Sequence, residues 1–231
     1  MSTTNAHVAT DSGVEDASGS STEERDVASS AMGRRPLSAE EMEAFRSRLV
    51  EVAIGLFAEH GHRSVSVRQI AREMDCSPMT PYRYFEDRAE ILAAVRDCCF
   101  GHMADMQDDG LARATTPIGA VRALFRASID FSIERPSEYR IMFGLDQAPP
   151  GRPDHLLEGE RRVWHNVRGC VADAVESSDL VGDPVTLAHL FMVSTHGLMT
   201  MNLAGRLDVG RKIDDLVEPL LEALIAGCSP S

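Results

Sequence analysis

Residues Ser64 to Arg88, SVSVRQIAREMDCSPMTPYRYFEDR, decide how the rest of the chain is read. Ser66 and Gln69 stand three apart in a capping box, the hydroxyl serving the N3 amide and the Gln side chain reaching back to the cap. Val67, Ile70, Ala71 and Met74 then fall on one helical face. Asp75-Cys76 predicts a tight turn, after which Ser77 caps a further helix with Pro78 at its first position, where the missing N–H costs nothing. Two short helices joined by such a turn form a helix-turn-helix, whose second helix can lie in a DNA major groove. The side chains suit that use. Ser66 and Ser77 sit at helix N-termini, which favour phosphate oxygens. Thr80, Tyr82 and Tyr84 offer hydroxyls, and Arg68, Arg83 and Arg88 offer the positive charge a duplex requires. A plain helical corner, with caps that only end helices, is the alternative reading of the same stretch.

The segments on either side are helical too. Ser38 and Glu41 form a second capping pattern, followed by Phe45, Leu49, Val52, Leu56 and Phe57 at three- and four-residue steps, and Gly61 closes the helix as a C′ glycine. After Asp87 a helix carries Ile91, Leu92 and Val95 on one face; over about 88–104 it would connect this part to the remainder. Residues 117–134 present Val121, Leu124, Phe125, Ile129 and Phe131, and Pro136 opens a short helix through Phe143. Gln147 to Pro153 is a breaker-rich loop, with helices expected at about 154–177, 183–205 and 212–226. No alternating strand pattern or internal repeat occurs. Residues 1–35, rich in Ser, Thr, Ala, Gly and acids, predict a disordered acidic tail. The expected fold class is all-α, with a helix-turn-helix domain over 36–100 and a helical bundle over 101–231.

Composition narrows the function classes. The 231 residues are 43% hydrophobic and 26% charged, with a net charge of −13, which excludes a globally basic coat protein. The charge is uneven. Residues 1–33 carry −5 and residues 101–231 carry −7, while residues 34–100 balance ten Arg against eleven acids. Five Cys without a CxxC pair argue against a disulfide or zinc framework. No apolar run approaches the roughly 20 residues of a membrane span. The amino terminus lacks the basic and apolar regions of a signal peptide, so a soluble cytoplasmic protein without membrane association is expected.

The block Phe57-Ala-Glu-His-Gly61, Ser66 to Ala71, Ser77, Pro81-Tyr-Arg-Tyr-Phe85 and Ile91-Leu92 resembles the tetracycline-repressor (TetR/AcrR) family over about residues 42–100. The resemblance implies a homodimeric, ligand-responsive transcriptional regulator. It places Ser66 and Arg68 at backbone- or base-contacting positions, Met79, Thr80 and Tyr82 on the recognition helix, and Tyr84 just beyond it. Arg88 falls where the family usually has a phosphate-gripping Lys. Further on, Glu134 to Gly144 and His196-Gly197-Leu198, followed by Asn202 to Leu207, are similar to the subgroup with a Trp-His-Gly signature, although Met192 occupies the Trp position. In this family the last two long helices pair with their twofold mates. Here Gly197, Ala204 and Gly205 would permit close approach, and Leu198, Leu216, Leu220 and Leu224 would supply buried area.

An apolar cavity is expected between the bundle helices, with Phe125, Ile129, Tyr139, Met142, Phe143, Trp164, Met192 and Met199 as candidate walls and Trp164-His165 as the polar handle. Side chains of these types are more often plain core. The spacing of His155, His165, His189 and His196 gives no metal motif, and Glu59-His60-Gly61-His62 stands alone, so neither a metal nor another cofactor is expected. No catalytic motif is found. Cys98-Cys99 on the connecting helix could sense redox state, though two neighbouring cysteines are hard to bridge within a helix and read as inert. The sequence thus predicts a non-enzymatic regulator. It would be a repressor that binds a pseudo-palindromic double-stranded operator as a homodimer, half-sites about 34–36 Å apart or somewhat more, and that a small-molecule effector releases. The alternatives are an all-α enzyme or metal carrier, a helical protein-interaction module, and a redox or ligand sensor without sequence-specific DNA binding.

Overall fold

The structure, a computed structural model, describes residues 38–61, 63–144, 158–207 and 210–230. The expected acidic tail and the loop 147–153 lie outside the described residues. Those described from Ala39 onward belong to one unit, and they hold eight α-helices and no strand: α1 (Ala39–His60), α2 (Val67–Glu73), α3 (Arg88–Arg113), α4 (Pro117–Glu134), α5 (Pro136–Phe143), α6 (Glu158–Glu176), α7 (Pro184–Leu203) and α8 (Asp214–Cys228). None is long and apolar enough to cross a membrane.

Most boundaries are written locally. Ser66 and Gln69 make both capping-box bonds. Asp87, Thr116 and Asp183 each accept an N3 amide at the starts of α3, α4 and α7, and the last two are followed by a proline at N1. Gly61 takes φ +77° at the end of α1, a left-handed conformation that a side chain would strain.

One expected helix is absent. Ser77 to Thr80 form a turn, and only Pro81–Arg83 wind into a single 3-10 turn. Pro78 and Pro81 account for this. Pro81 has no N–H to bond the Ser77 carbonyl, so the segment uses three-residue bonds instead, Thr80 to Ser77, Arg83 to Thr80 and Tyr84 to Pro81. The capped segment predicted from Ser77 is therefore tighter and shorter than an α-helix.

Helix α3 organises everything else. Ile91, Val95, Cys99, Phe100, Met103, Ala104 and Gln107 are buried along its length, and α1, α4, α5 and α6 all pack on it. It passes through residue 100, the expected domain boundary, without interruption. Helix α6 crosses α3 closely at Gly159, where a Cβ would stand 2.6 Å from the Gly101 nitrogen. The Gly159 N–H also donates to Asp97 Oδ1 over 2.9 Å, so α3 supplies a cap for the start of α6. A continuous apolar cluster runs from Leu49 on α1 to Leu221 on α8.

Candidate functional site

The first candidate surface is the turn that follows α2. Met79 is 68% exposed and Tyr82 43%, both large side chains standing in solvent. Ser66, Arg68, Arg72, Ser77 and Arg83 are exposed around them, and Thr80 is half-buried. Ser77 Oγ accepts from the Met79 N–H and from the Thr80 hydroxyl, each at 3.3 Å. Among the described residues, Arg68, Arg72 and Arg83 form no salt bridge. A cationic rim around two exposed amphipathic side chains can bind phosphates at its edge and base edges at its centre.

Two predicted contact residues are committed within the fold as well. Tyr84 stacks on Phe45 of α1 with ring centroids 4.0 Å apart, and its carbonyl accepts from Arg46. Arg88, at the first position of α3, donates to the Val65 carbonyl over 3.3 Å and so ties α3 to the start of α2. Arg46 is a residue that sequence reading missed. Its guanidinium lies 4.1 Å from the centroid of the buried Phe85 ring and 3.3 Å from Glu90, fixing the 3-10 turn against α1 and α3. Only the general rarity of a half-buried Arg amid aromatics could have flagged it.

The second candidate is a cavity of about 580 Å³ between α3, α4, α5, α6 and α7. Phe125, Tyr139, Phe143, Trp164, Met192 and Met199 line it, as expected from the sequence. Three expected wall residues do not. Ile129 and Met142 are fully buried in closed core. On α5 the cavity-facing pair is Tyr139 and Phe143, four apart, and Met142 turns off that line. His165 is exposed, because Glu160, Val163, Trp164 and Val167 form the inward stripe of α6 and residue 165 points away from it. The imidazole beside Trp164 belongs instead to His189, 4.8 Å away on α7.

Of the polar groups of the cavity, Tyr139 is expected on the wall from the sequence, whereas His196, Gln107 and Ser128 are not assigned to it. The Tyr139 hydroxyl and His196 Nδ1 are 2.6 Å apart. Burial lowers the His196 pKa and raises that of Tyr139, so a neutral imidazole faces an intact phenol. Gln107, 1% exposed, donates from Nε2 to Ser128 Oγ over 2.9 Å, and the Ser128 hydroxyl donates to the Leu124 carbonyl. Gln107 Oε1 is then left buried without a hydrogen-bond partner. Such an atom costs about 1–3 kcal/mol unless something donates to it. Among the described residues, the ionisable side chains on the wall besides Tyr139 and His196 are Glu160 and Arg161 at the start of α6.

A third group of side chains meets where α1, α3 and α5 join. Cys98 and His102 stand one turn apart on α3, facing Glu51 of α1, and His102 Nδ1 lies 2.7 Å from Glu138 Oε2 of α5. Hydrogen bonds from Cys98 and then Glu138 raise the His102 pKa to about 10. Neighbouring Cys99 is buried, and desolvation pushes its thiol far up, which keeps it unreactive.

Residues 49–95 match the family described as bacterial regulatory proteins, tetR family, and residues 121–224 match the tetracyclin repressor-like C-terminal domain. An HTH-type transcriptional regulator of Mycobacterium tuberculosis is 26% identical over 160 residues, 66% of this chain and 63% of that protein. This chain thus spans under two thirds of that relative's length. An HTH-type transcriptional repressor of Streptomyces coelicolor is 23% identical over 167 residues, 68% of this chain and 83% of that one. Among solved structures, a protein of unknown function from Rhodococcus superimposes with a TM-score of 0.71 at 23% identity, covering 80% of this chain and 95% of the other.

Proposed function

The chain belongs to the tetR family of bacterial regulatory proteins, and on that premise we propose that it is a ligand-responsive, DNA-binding transcriptional regulator. One observation carries the reading. Helix α3 begins beneath the helix-turn-helix, where Arg88 holds Val65, and continues unbroken to the cavity, where Phe100, Met103 and Gln107 form part of the wall. A molecule that reshapes the cavity pushes on the same rigid element that positions Met79 and Tyr82. Effector and operator then bias one equilibrium in opposite directions, with equal coupling. The sense is repression, supported by the named repressor among the relatives, and the cytoplasm is the location this role requires.

The effector is a neutral, largely apolar small molecule with one hydroxyl or N–H. Away from Glu160 and Arg161 at the start of α6 the walls are chiefly aromatic rings, methionines and valines, and the unmet need within them is the acceptor at Gln107 Oε1. The active form is a homodimer. Leu190, Val193 and Met201 on α7 are 46–68% exposed and share a face with Gly197, where a Cβ would meet nothing within 4 Å. An unpaired apolar stripe of this kind is costly in a monomer. The DNA-contacting set is Ser66, Arg68, Ser77, Met79, Thr80, Tyr82 and Arg83, with Arg88 and Tyr84 acting chiefly as supports.

Selection of random duplexes by the purified protein, repeated at several salt concentrations, tests the reading. An enriched inverted repeat whose affinity falls steeply with salt is the expected result. Salt-independent retention without any enriched sequence would favour a protein-interaction module.

A further inference from the structure

We propose that Cys98, His102 and Glu51 form a site for a zinc-type divalent transition-metal ion, with one tetrahedral position left for water. The site is separate from both the helix-turn-helix face and the cavity, and it stands independently of the function proposed above.

The geometry is specific. Cys98 Sγ lies 3.6 Å from His102 Nε2 and 3.8 Å from Glu51 Oε1, and the third side of the triangle, His102 Nε2 to Glu51 Oε1, is 3.7 Å. Tetrahedral zinc with bonds of about 2.0–2.3 Å separates its S, N and O ligands by roughly 3.3–3.6 Å. The three donors therefore already outline one face of such a sphere, within a few tenths of an ångström. They are also the thiolate, imidazole and carboxylate types that zinc accepts together.

The surroundings orient the donors. Glu138 Oε2, 2.7 Å from His102 Nδ1, accepts the proton on that nitrogen, so an ion that displaces the proton from Nε2 meets a lone pair aimed at Cys98 and Glu51. Glu138 is itself held by Arg135 over 3.0 Å, and its side chain is 12% exposed. Arg135 Nη1 also stands 3.3 Å from His102 Nδ1, on the side away from the three donors. A carboxylate behind a metal-bound histidine is a recurrent second layer of zinc sites. Access is open, since the Glu51 side chain is 60% exposed. The ligands come from two helices, so an ion would pin α1 to α3.

Cobalt(II) reports the site directly. Titrated into the reduced full-length protein, it should produce a sulfur-to-cobalt charge-transfer band and the visible bands of tetrahedral coordination, saturating at one ion per chain and displaced by zinc. Cys98→Ser should abolish the charge-transfer band, and His102→Gln should remove the tetrahedral spectrum. Glu138→Gln should weaken binding by about 10- to 100-fold while keeping the band shape, as expected of a positioning residue. Thermal unfolding without metal checks that each variant is folded, and zinc should raise the midpoint of the wild type but not of Cys98→Ser. A folded wild type that gives no charge-transfer band, or a band that survives in Cys98→Ser, would overturn the assignment.

Discussion

The Tyr139 hydroxyl and Nδ1 of His196 are hydrogen-bonded across 2.6 Å, joining α5 to α7 at the cavity wall. His196 Nε2 lies 3.3 Å from Thr200 Oγ1, so both ring nitrogens have a neutral partner and, among the described residues, none is charged. Burial alone lowers the imidazole pKa from its ordinary 6.5. The folded chain therefore binds fewer protons at this site than the unfolded chain. Its contribution is complete above the ordinary imidazole value and is lost as pH falls toward the lowered one. Wild type should lose more thermal stability between pH 7 and pH 5 than His196→Gln, which cannot titrate. Parallel losses in the two proteins would mean that protonation of His196 is not coupled to folding.

Gln107 Oε1 sets a second expectation. Gln107→Leu removes the buried orphan acceptor, and Ser128 keeps its bond to the Leu124 carbonyl. Stability should stay level or rise by about 1 kcal/mol, since an unmet polar atom has gone. Affinity for an effector that donates to Oε1 should fall roughly tenfold, one lost hydrogen bond in a dry site. Calorimetric unfolding and effector titration together check this, and unchanged effector affinity would place the ligand's donor elsewhere.

How far the sequence carries can be judged at particular residues. Caps at Ser66, Asp87 and Thr116 and the three-four spacing along α1 and α4 are local signals, and they locate the helices because their physics is local. The segment after Ser77 is legible in part: a capping Ser with Pro78 reads as a helix start and Pro81, which removes the first regular helix bond, reads as tightening it, but the reduction to a single 3-10 turn is not written locally. In the cavity, aromatic residues are legible as apolar, but which of two neighbours faces inward depends on helix rotation, which separates Trp164 from His165 and Phe143 from Met142. Gln107 and Arg46 stay hidden, and His196 is legible only within its His-Gly resemblance, since their meaning comes from partners 21, 44 and 57 positions away. The Cys98-His102 pair is equally silent until α1 brings Glu51 beside it.

The two arginines at the carboxyl-terminal end of the helix-turn-helix should behave differently. Arg83 is exposed and forms no salt bridge among the described residues, so Arg83→Ala should leave folding intact. It should also reduce the slope of log affinity against log salt by about one phosphate contact. Arg88 also holds the Val65 carbonyl, so Arg88→Ala should weaken duplex binding and lower thermal stability by about 1–2 kcal/mol together. Tyr82→Ala, which removes an exposed hydroxyl and ring, should cost about 1–3 kcal/mol of operator binding with no change in unfolding. Binding at several salt concentrations, paired with thermal melts, separates these outcomes.

Val193 tests the dimer. It is 68% exposed in the middle of α7, with Leu190 one turn before it and Gly197 one turn after. A twofold mate laid along this face would bury the three positions against their copies, and Gly197 would let the helix axes approach. Val193→Glu would bring two carboxylates together in an apolar seam, where each pays desolvation without a counter-charge. The variant should run as a monomer in analytical ultracentrifugation while its helical content is kept. Because a monomer contacts only one half-site, its operator affinity should drop by at least a hundredfold, the order lost when a second linked contact is removed. Val193 lies at the cavity as well, so Leu190→Glu on the same stripe, outside the cavity wall, serves as the second variant. If both variants sediment as dimers, the pairing surface is not α7.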